Sequence, residues 1–444
     1  MSPKYIVMLA FQVFWSIASY CQHKPNIIII YADDLGYGDL ATYGGDIPSP
    51  NIQRIADAGI TFTDFYASAP VCTPSRFGLL TGCYPHRSKH GLDEVLMPGD
   101  SGHLDAIEQI IPQYLLKEGY RTALFGKWHL GNAKETYLPC NYGFDRFVGH
   151  THGCIDYFSH AYGTLAKDWY KDCHPVDEEG YATDLITDHA LEYIAIPDTS
   201  PYFVFLSYNS PHYGKSDSIN LTEESLALNK GKGGVNTLQV PESYLMRFRH
   251  VPDRYRRYYS AMVSNLDDNI GRILDFLKET GQLENTIVWF MSDNGGYSHS
   301  YFGHADNGKL SGEKGQLNEG GIRVPSLLFW KSVIKPAQTI TQPAVNIDVL
   351  PTLLDLIGVS QRNTQLDGVV LTPTLINGEQ IQRTIIWRYR NHTALRSGRW
   401  KWLTEKLYDL EKDVSERYDV SSRYPGIFTK LSKEAEAFLT KDEL

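Results

Sequence analysis

The sequence predicts an α/β fold with a small antiparallel subdomain at its C-terminal end. Three observations predict it. Apolar strand-like runs alternate with helix-like runs over most of the chain. Four of the strand-like runs deliver polar residues at their C-terminal ends, which is where ligands bind in open α/β sheets. After about Ile357 the pattern changes to short strand-like pieces and a polar terminal helix.

Residues 26–32 (NIIIIYA) form a buried strand by their continuous apolar run. Residues 51–58 read as a helix, and residues 106–118 as another that Gly119 stops. A strand over 122–125 runs into Gly126-Lys127-Trp128-His129-Leu130-Gly131. The run 202–208 (YFVFLSY) ends at Ser210-Pro211-His212. A long helix over 255–280 closes at Gly281, and the strand 286–291 (TIVWFM) leads into Ser292-Asp293-Asn294-Gly295-Gly296. The stretch 213–252 is rich in Gly, Asn, Ser and Lys and has no strong period, so it reads as a long loop over the site. Strand-like pieces at 383–387 and 400–403 and a charged helix over 431–439 form the antiparallel subdomain, expected to close one side of the site.

A chain of 444 residues accommodates one large domain, placed at 23–357, and a smaller one at 358–444. The net charge of −10 argues against a general nucleic-acid binder, so positive charge for an anionic ligand must be built locally. Residues 1–22 read as a secretory signal: Lys4, an apolar run to about Trp15, then Ser16, Ala18 and Ser19. The run is too short to span a bilayer, and no later segment is apolar enough. Tyr20 stands where lipidation of Cys21 would need a small residue. The expected location is periplasmic or secreted. The ending Lys441-Asp442-Glu443-Leu444 keeps the ER lumen as the alternative. Of six cysteines, setting aside Cys21 and Cys72 leaves four, which allow three pairings. Cys154–Cys173 would close a local loop, and four free buried thiols is the other reading.

The segment Cys72-Thr73-Pro74-Ser75-Arg76 carries the most chemistry. It precedes a helix-like stretch, and a helix N-terminus favours an anionic ligand through its free N–H groups. Asp33, Asp34, Asp293 and Asn294 lie at the ends of two apolar strands and are oxygen ligands of the kind hard divalent cations take. No Cys/His cluster has zinc spacing. Such pairs are also ordinary turn and capping residues, and their recurrence after two strands is what favours a metal. Arg76 lies one helical turn past Cys72, and Lys127 and His129 alternate along an extended segment, so each pair can share a face. His212, Lys314 and Arg323 add positive character.

These motifs together resemble the formylglycine-dependent type I sulfatases of the alkaline-phosphatase-like superfamily. The motifs are the Cys72 segment with Leu80-Thr81-Gly82, the segment 126–131, Ser292-Asp293-Asn294-Gly295, and Lys314-Gly315 with Glu319-Gly320-Gly321-Ile322-Arg323-Val324-Pro325. The resemblance runs from about Asn26 to the C-terminus. It implies an α/β/α sandwich with a large mixed sheet, and conversion of Cys72 to Cα-formylglycine by a formylglycine-generating enzyme that reads Pro74 and Arg76. A hydrated aldehyde offers two hydroxyls, one to attack sulfur and one to expel sulfate afterwards, in a covalent mechanism. By position, Asp33, Asp34, Asp293, Asn294 and the modified Cys72 would bind Ca2+, and Asp293 would take the proton of the attacking hydroxyl. Arg76, Lys127 and Lys314 would stabilise the sulfuryl charge, His212 would protonate the leaving oxygen, and His129 would act as base when sulfate leaves.

Cys83, Ser311 and Asn318 depart from the family pattern, as does the Tyr213-Gly214-Lys215 that follows His212. Lys215 reads as a solvated loop lysine, with contact to a second anionic group of the substrate as the alternative. The segment Gly149-His150-Thr151-His152-Gly153 is expected to reach the pocket. The function implied is hydrolysis of sulfate esters on a small molecule or, above all, a carbohydrate, a polysaccharide-derived oligosaccharide. The alternatives are a phosphate mono- or diester hydrolase of the same superfamily and a non-catalytic sugar-binding relative.

Overall fold

The structure, a computed structural model, describes residues 24–105, 108–217, 225–231, 233–299, 304–359 and 365–441. Residues 1–22, read as a signal, and the last three residues of the terminal tetrapeptide lie outside the described residues.

In chain order the strands begin with β1 (Asn26–Ala32), β2 (Ile60–Phe62), β3 (Phe65–Tyr66), β4 (Arg121–Lys127), β5 (Arg146–His150), β6 (Tyr170–Lys171), β7 (His174–Pro175) and β8 (Tyr202–Ser207). They continue with β9 (Gly214–Ser216), β10 (Ser225–Gly231), β11 (Gly234–Gln239), β12 (Thr286–Ser292), β13 (Ser326–Phe329), β14 (Gln338–Ile340) and β15 (Ala344–Val345). The last four are β16 (Thr384–Tyr389), β17 (His392–Ser397), β18 (Trp400–Leu403) and β19 (Lys406–Asp409).

Ten strands make one sheet in the order β14-β2-β13-β12-β1-β8-β4-β5-β6-β7. Its centre is parallel: β1 pairs with β12 and β8, and β4 with β8 and β5. β13 runs antiparallel to β12, which makes the sheet mixed. The register aligns Ala32 with Ser292 and Gly126 with Ser207, so β1, β12, β4 and β8 end side by side.

Both faces of the sheet are covered, which is why its central strands are apolar without alternation. Ile28 and Ile30 of β1 point into one core with Ile186, Ala190, Ile270 and Ile273, from the helices Ala182–Ile194 and Arg254–Glu279. Ile27, Ile29 and Tyr31 point into the other, with Phe77, Leu80, Leu353 and Leu354 from the helices Cys72–Thr81 and Val349–Leu356. Each of the four β1 isoleucines has 0% exposure, a burial that contributes about 1.5–3 kcal/mol per side chain. The result is the expected three-layer sandwich. The 26-residue helix starts where Asp253 accepts from the Arg256 amide at 2.7 Å, an N-cap.

Several elements differ from the sequence reading. Residues 213–252 hold β9, β10 and β11, a three-stranded antiparallel sheet, and the helix Glu242–Arg247, rather than a structureless loop. Its strands pair only with each other, and short polar strands of that kind leave no apolar period. The helix expected from 106 begins at Ile111, where Pro112 occupies the first turn and Gln113 Oε1 accepts from the Ile110 amide at 3.0 Å. Residues 106 and 107 lie outside the described residues. Cys173 pairs with Cys140, with Cα atoms 6.3 Å apart, and not with Cys154, which is a buried free thiol. The pairing follows from β6 folding back along β5, beside the turn Pro139–Tyr142.

The four strands β16–β19 form the expected antiparallel sheet. One face packs Ile385, Trp387 and Ala394 on Tyr66, Leu317 and Ile322, and the other packs Leu395, Trp402 and Leu407 on Leu431 and Ala435 of the helix Pro425–Lys441. A buried ionic network crosses the first contact. Lys401 Nζ lies 3.0 Å from Glu319 Oε1 and 2.8 Å from Glu416 Oε1. Arg323 meets Asp64 at 2.8 Å and Glu319 at 3.3 Å, and Arg396 meets Asp64 at 2.6 Å. Arg323 therefore belongs to this junction and not to the strand-end site.

Burial opposes ionisation of Glu319, but Lys401, Arg323 and Arg396 outweigh it and bring its pKa down to about 2. The folded value lies below that of an unfolded glutamate, about 4.3. The stability this group contributes is thus present above that range and is lost as pH falls toward about 2. Lys401→Met leaves Glu319 and Glu416 without their shared cation and is expected to lower unfolding free energy by about 3–5 kcal/mol at neutral pH. Urea unfolding measures this, and an unchanged midpoint would show that the network contributes nothing.

Candidate active site

Because four parallel strands end together, the polar residues that follow them meet. Asp33 and Asp34 follow β1, and Asp293 and Asn294 follow β12. The Asp34 amide donates to Asp293 Oδ1 at 3.1 Å, and Asn294 Nδ2 donates to Asp34 Oδ1 at 2.7 Å. Asp34 holds a φ of 63° and His129 one of 56°, in the left-handed region that residues other than glycine rarely occupy. Both are predicted site residues, and other non-glycine residues away from the strand ends, such as Asp172 and Ala337, share this backbone region.

The helix Cys72–Thr81 starts at Cys72 itself, and its whole length is buried. Arg76, one turn on, has 0% exposure and turns its guanidinium under the strand ends. Nη2 lies 3.4 Å from Asp33 Oδ2 and 3.3 Å from Asp293 Oδ2, while Nη1 donates to Ser207 Oγ at 2.5 Å. Ser207 Oγ donates in turn to the Lys127 carbonyl at 2.6 Å. Lys127 Nζ sits 2.5 Å from Asp33 Oδ2, and Lys314 Nζ 2.6 Å from Asp34 Oδ1. His212 Nε2 is 3.4 Å from Asp34 Oδ2, and its Nδ1 donates to the Tyr213 carbonyl at 2.7 Å. His129 Nε2 donates to the Leu96 carbonyl at 2.9 Å, and Thr73 Oγ1 lies 3.3 Å from Nδ1.

Burial and charge set the protonation states. Burial works against the Asp33 carboxylate, but Lys127, His212 and Arg76 hold it well below the usual carboxylate range. Asp293 moves the other way, to about 8, through burial and the neighbouring Asp33 charge. Burial, aided by Lys314, lowers His212 to about 4, and burial with Lys127 beside it holds His129 well below the usual imidazole range. Burial disfavours the Lys314 ammonium, yet Asp34 facing it keeps the group charged. The Cys72 thiol is pushed up by burial, so an unmodified thiol here is a poor nucleophile.

These residues open on a cavity of about 370 Å³. Cys72, His129, His212 and Lys314 line it, with Tyr162, Tyr213, Tyr297, Tyr389 and Arg390 on its walls. Arg76, Lys127 and Asp293 lie behind that lining. Of the segment 149–153, Gly153 reaches the cavity. A Cβ there would stand 2.8 Å from His129 Cε1, so the close approach of the ring requires glycine. His152 instead pairs with Asp168 at 2.8 Å. Ser311 and Asn318 both bond to Glu416 and lie away from the cavity. A separate cavity of about 660 Å³ lies at the opposite ends of the strands and holds none of the predicted site residues.

The donor set fits a hard divalent cation. Asp33, Asp34 and His212 bring one ligand atom each to within 4.8 Å of one another. Asp33 Oδ1 and Asn294 Oδ1 are buried with no hydrogen-bond partner, the state expected of oxygens whose partner is a cation. The sequence reading passed over Ser207, Thr73 and Tyr389. Ser207 was visible only as a polar residue inside the apolar run 202–208, and Tyr389 lies just beyond the strand-like piece 383–387.

Ser207→Ala removes the nearer of the two acceptors of Arg76 Nη1 and leaves it only the Lys127 carbonyl at 3.3 Å. The expected loss is about 1–3 kcal/mol of stability, read as a lower denaturation midpoint. A midpoint equal to that of the parent would show that this short contact does not hold the guanidinium.

Comparisons with known proteins agree with this geometry. Residues 25–359 match the family described as Sulfatase. Arylsulfatase A of Bos taurus is 32% identical over 85% of this chain and 74% of its own length. N-acetylgalactosamine-6-sulfatase of Homo sapiens is 29% identical over 85% of this chain and 70% of its own. Among solved structures, Ps i-CgsB in complex with k-i-k-neocarrahexaose superposes with a TM-score of 0.83 at 30% identity, covering 94% of this chain and 93% of that one. The phosphonate monoester hydrolase of Agrobacterium radiobacter, at 19% identity and a TM-score of 0.64, shares the fold. With three-quarters of its length matched to the family and a nucleophile position, oxygen ligands and cations gathered at its strand ends, the chain belongs to the sulfatase family and is a sulfuric ester hydrolase.

Proposed function

We propose that the protein removes sulfate esters from a carbohydrate, an oligosaccharide derived from a sulfated polysaccharide, using formylglycine at position 72 and a calcium ion. The observation that carries this reading is that Cys72, at a helix N-terminus on a cavity wall, stands in front of a buried cluster of Asp33, Asp34, Asp293 and Asn294 with Arg76, Lys127 and Lys314. Four tyrosines on the cavity wall suit the apolar faces of sugar rings. Relatives named for N-acetylgalactosamine-6-sulfate hydrolysis, and a structural neighbour solved with a neocarrahexaose, support a carbohydrate.

Asp33, Asp34, Asp293 and Asn294 would hold the calcium, which when bound supplies charge to polarise sulfate and acidify a hydroxyl at position 72. The aldehyde hydrate provides one hydroxyl for attack and a second for release of sulfate. Arg76 and Lys127, fixed behind the lining, supply preorganised positive charge beside the reacting group. Lys314 stays charged at the cavity wall and faces the sulfate oxygens. His212, with Nδ1 held by the Tyr213 carbonyl, has Nε2 turned inward. An anionic sulfate beside it raises its affinity for the proton that the leaving oxygen takes. His129, kept neutral by burial, is placed as the base for the release step. Residues 1–22 direct export, and residues 23–357 and 358–444 serve as the catalytic domain and its supporting subdomain.

Release of sulfate from defined sulfated oligosaccharides tests the reading. The peptide containing Cys72, from protein made in its native host, is expected to have exchanged H2S for O. An intact thiol would overturn the mechanism. Chelation followed by dialysis is expected to lower turnover by at least about a hundredfold, with Ca2+ restoring it. Asp293→Ala is expected to lose turnover and bound metal together, by enzyme assay and metal analysis. Equal rates on matched phosphate and sulfate esters would favour the phosphate-ester alternative.

A further inference from the structure

Lys215 is not the solvated lysine its loop-like sequence suggests. It sits in the middle of β9 with 4% exposure. Its strand neighbours face the other way: Ser216 Oγ bonds to Asp156 and Thr237, and Gly214 packs on Gln239 and Tyr157. The Lys215 ammonium donates to Asn236 Oδ1 at 3.0 Å and lies 5.9 Å from the centre of the Tyr162 ring. Asn236 is itself held by Asn229 Oδ1 at 2.7 Å. Among the described residues no carboxylate pairs with Lys215.

That sets it apart from the other buried lysines. Lys127, Lys314 and Lys401 each face a carboxylate at 3.0 Å or less. An ammonium has three protons to place, and burying one without a counter-charge is costly. Burial lowers its pKa accordingly, and the nearby groups do not offset this. The position is tied to the active site by the chain itself: His212, three residues earlier, lines the cavity, as do Tyr162 and Cys154. The Lys215 amide donates to the Ile155 carbonyl, and the Gly163 amide donates to the Lys215 carbonyl, fastening β9 to the wall segment 154–163.

We infer that Lys215, supported by Asn236 and Tyr162, is a specificity residue that receives a second anionic substituent of the substrate, a sulfate or carboxylate on the same or the adjoining sugar. The missing counter-charge then arrives with the ligand. This deepens the carbohydrate-sulfatase reading and rests on it.

The test compares parent, Lys215→Met and Lys215→Arg proteins, each checked for an unchanged melting temperature, on two kinds of probe. p-Nitrophenyl sulfate, with a single anionic group, reports the sulfatase reaction itself. Paired mono- and disulfated disaccharides from carrageenan, chondroitin sulfate and heparin report the second site as competing ligands. The parent is expected to bind the disulfated member of at least one pair about tenfold more tightly. Lys215→Met should erase that preference, Lys215→Arg should keep most of it, and kcat/KM for the aryl sulfate should stay within about threefold in both. A parent with no disulfated preference, or a methionine variant that keeps it, overturns the inference. So does a methionine variant that loses aryl sulfate turnover in equal measure or no longer folds, because the role of Lys215 is then structural. No aryl sulfate turnover in the metal-loaded, formylglycine-containing parent would instead overturn the reading on which the inference rests.

Discussion

The structure depends on a buried, alternating arrangement of charge at the C-terminal ends of β1, β4 and β12. Asp33, Asp34 and Asp293 are inaccessible or nearly so, as are Arg76 and Lys127. An isolated ion would not survive there, because the desolvation penalty is several kcal/mol for each. The cluster holds because each carboxylate is faced by a cation or an N–H group: Asp33 by Lys127 and Arg76, Asp34 by Lys314 and Asn294, and Asp293 by Arg76 and the Asp34 amide. It also leaves Asp33 Oδ1 and Asn294 Oδ1 unmatched, so the protein supplies ligand capacity beyond its own internal needs.

This constraint explains the neighbouring architecture. A helix carrying Cys72 must begin where the strands end, and Arg76 must pass beneath it, so the whole helix Cys72–Thr81 is buried. Ser207 at the end of β8 ties Arg76 to the Lys127 backbone, which links two strands and the helix Cys72–Thr81 through one hydroxyl.

The C-terminal sheet supports the site as well as covering it. Glu416 accepts from the Glu319 amide at 2.8 Å and from Ser311 Oγ at 2.7 Å, bracketing the segment that carries Lys314. Tyr389 and Arg390, at the turn between β16 and β17, reach the cavity rim. The departures at Ser311 and Asn318 thus have a local reason: both side chains belong to this brace and not to the rim.

The sequence by itself determined the sheet's central strands and the polar residues that follow them, because a strand buried on both faces must be apolar throughout and its end is where polarity can resume. It also marked Cys72 as the proposed nucleophile position, since the Cys72 segment is contiguous and opens a helix. Only the tertiary structure decided which distant groups meet. Arg323 could join either the strand ends or the subdomain junction, and Asp64 and Glu319 drew it to the junction. Cys173 could reach Cys140 or Cys154, and the return of β6 along β5 chose Cys140. Lys215 looked solvated because polar strands such as β9 to β11 carry no apolar period, and only their pairing removed it from water. Such outcomes depend on contacts between residues far apart in the chain, and neither local propensity nor periodicity encodes them.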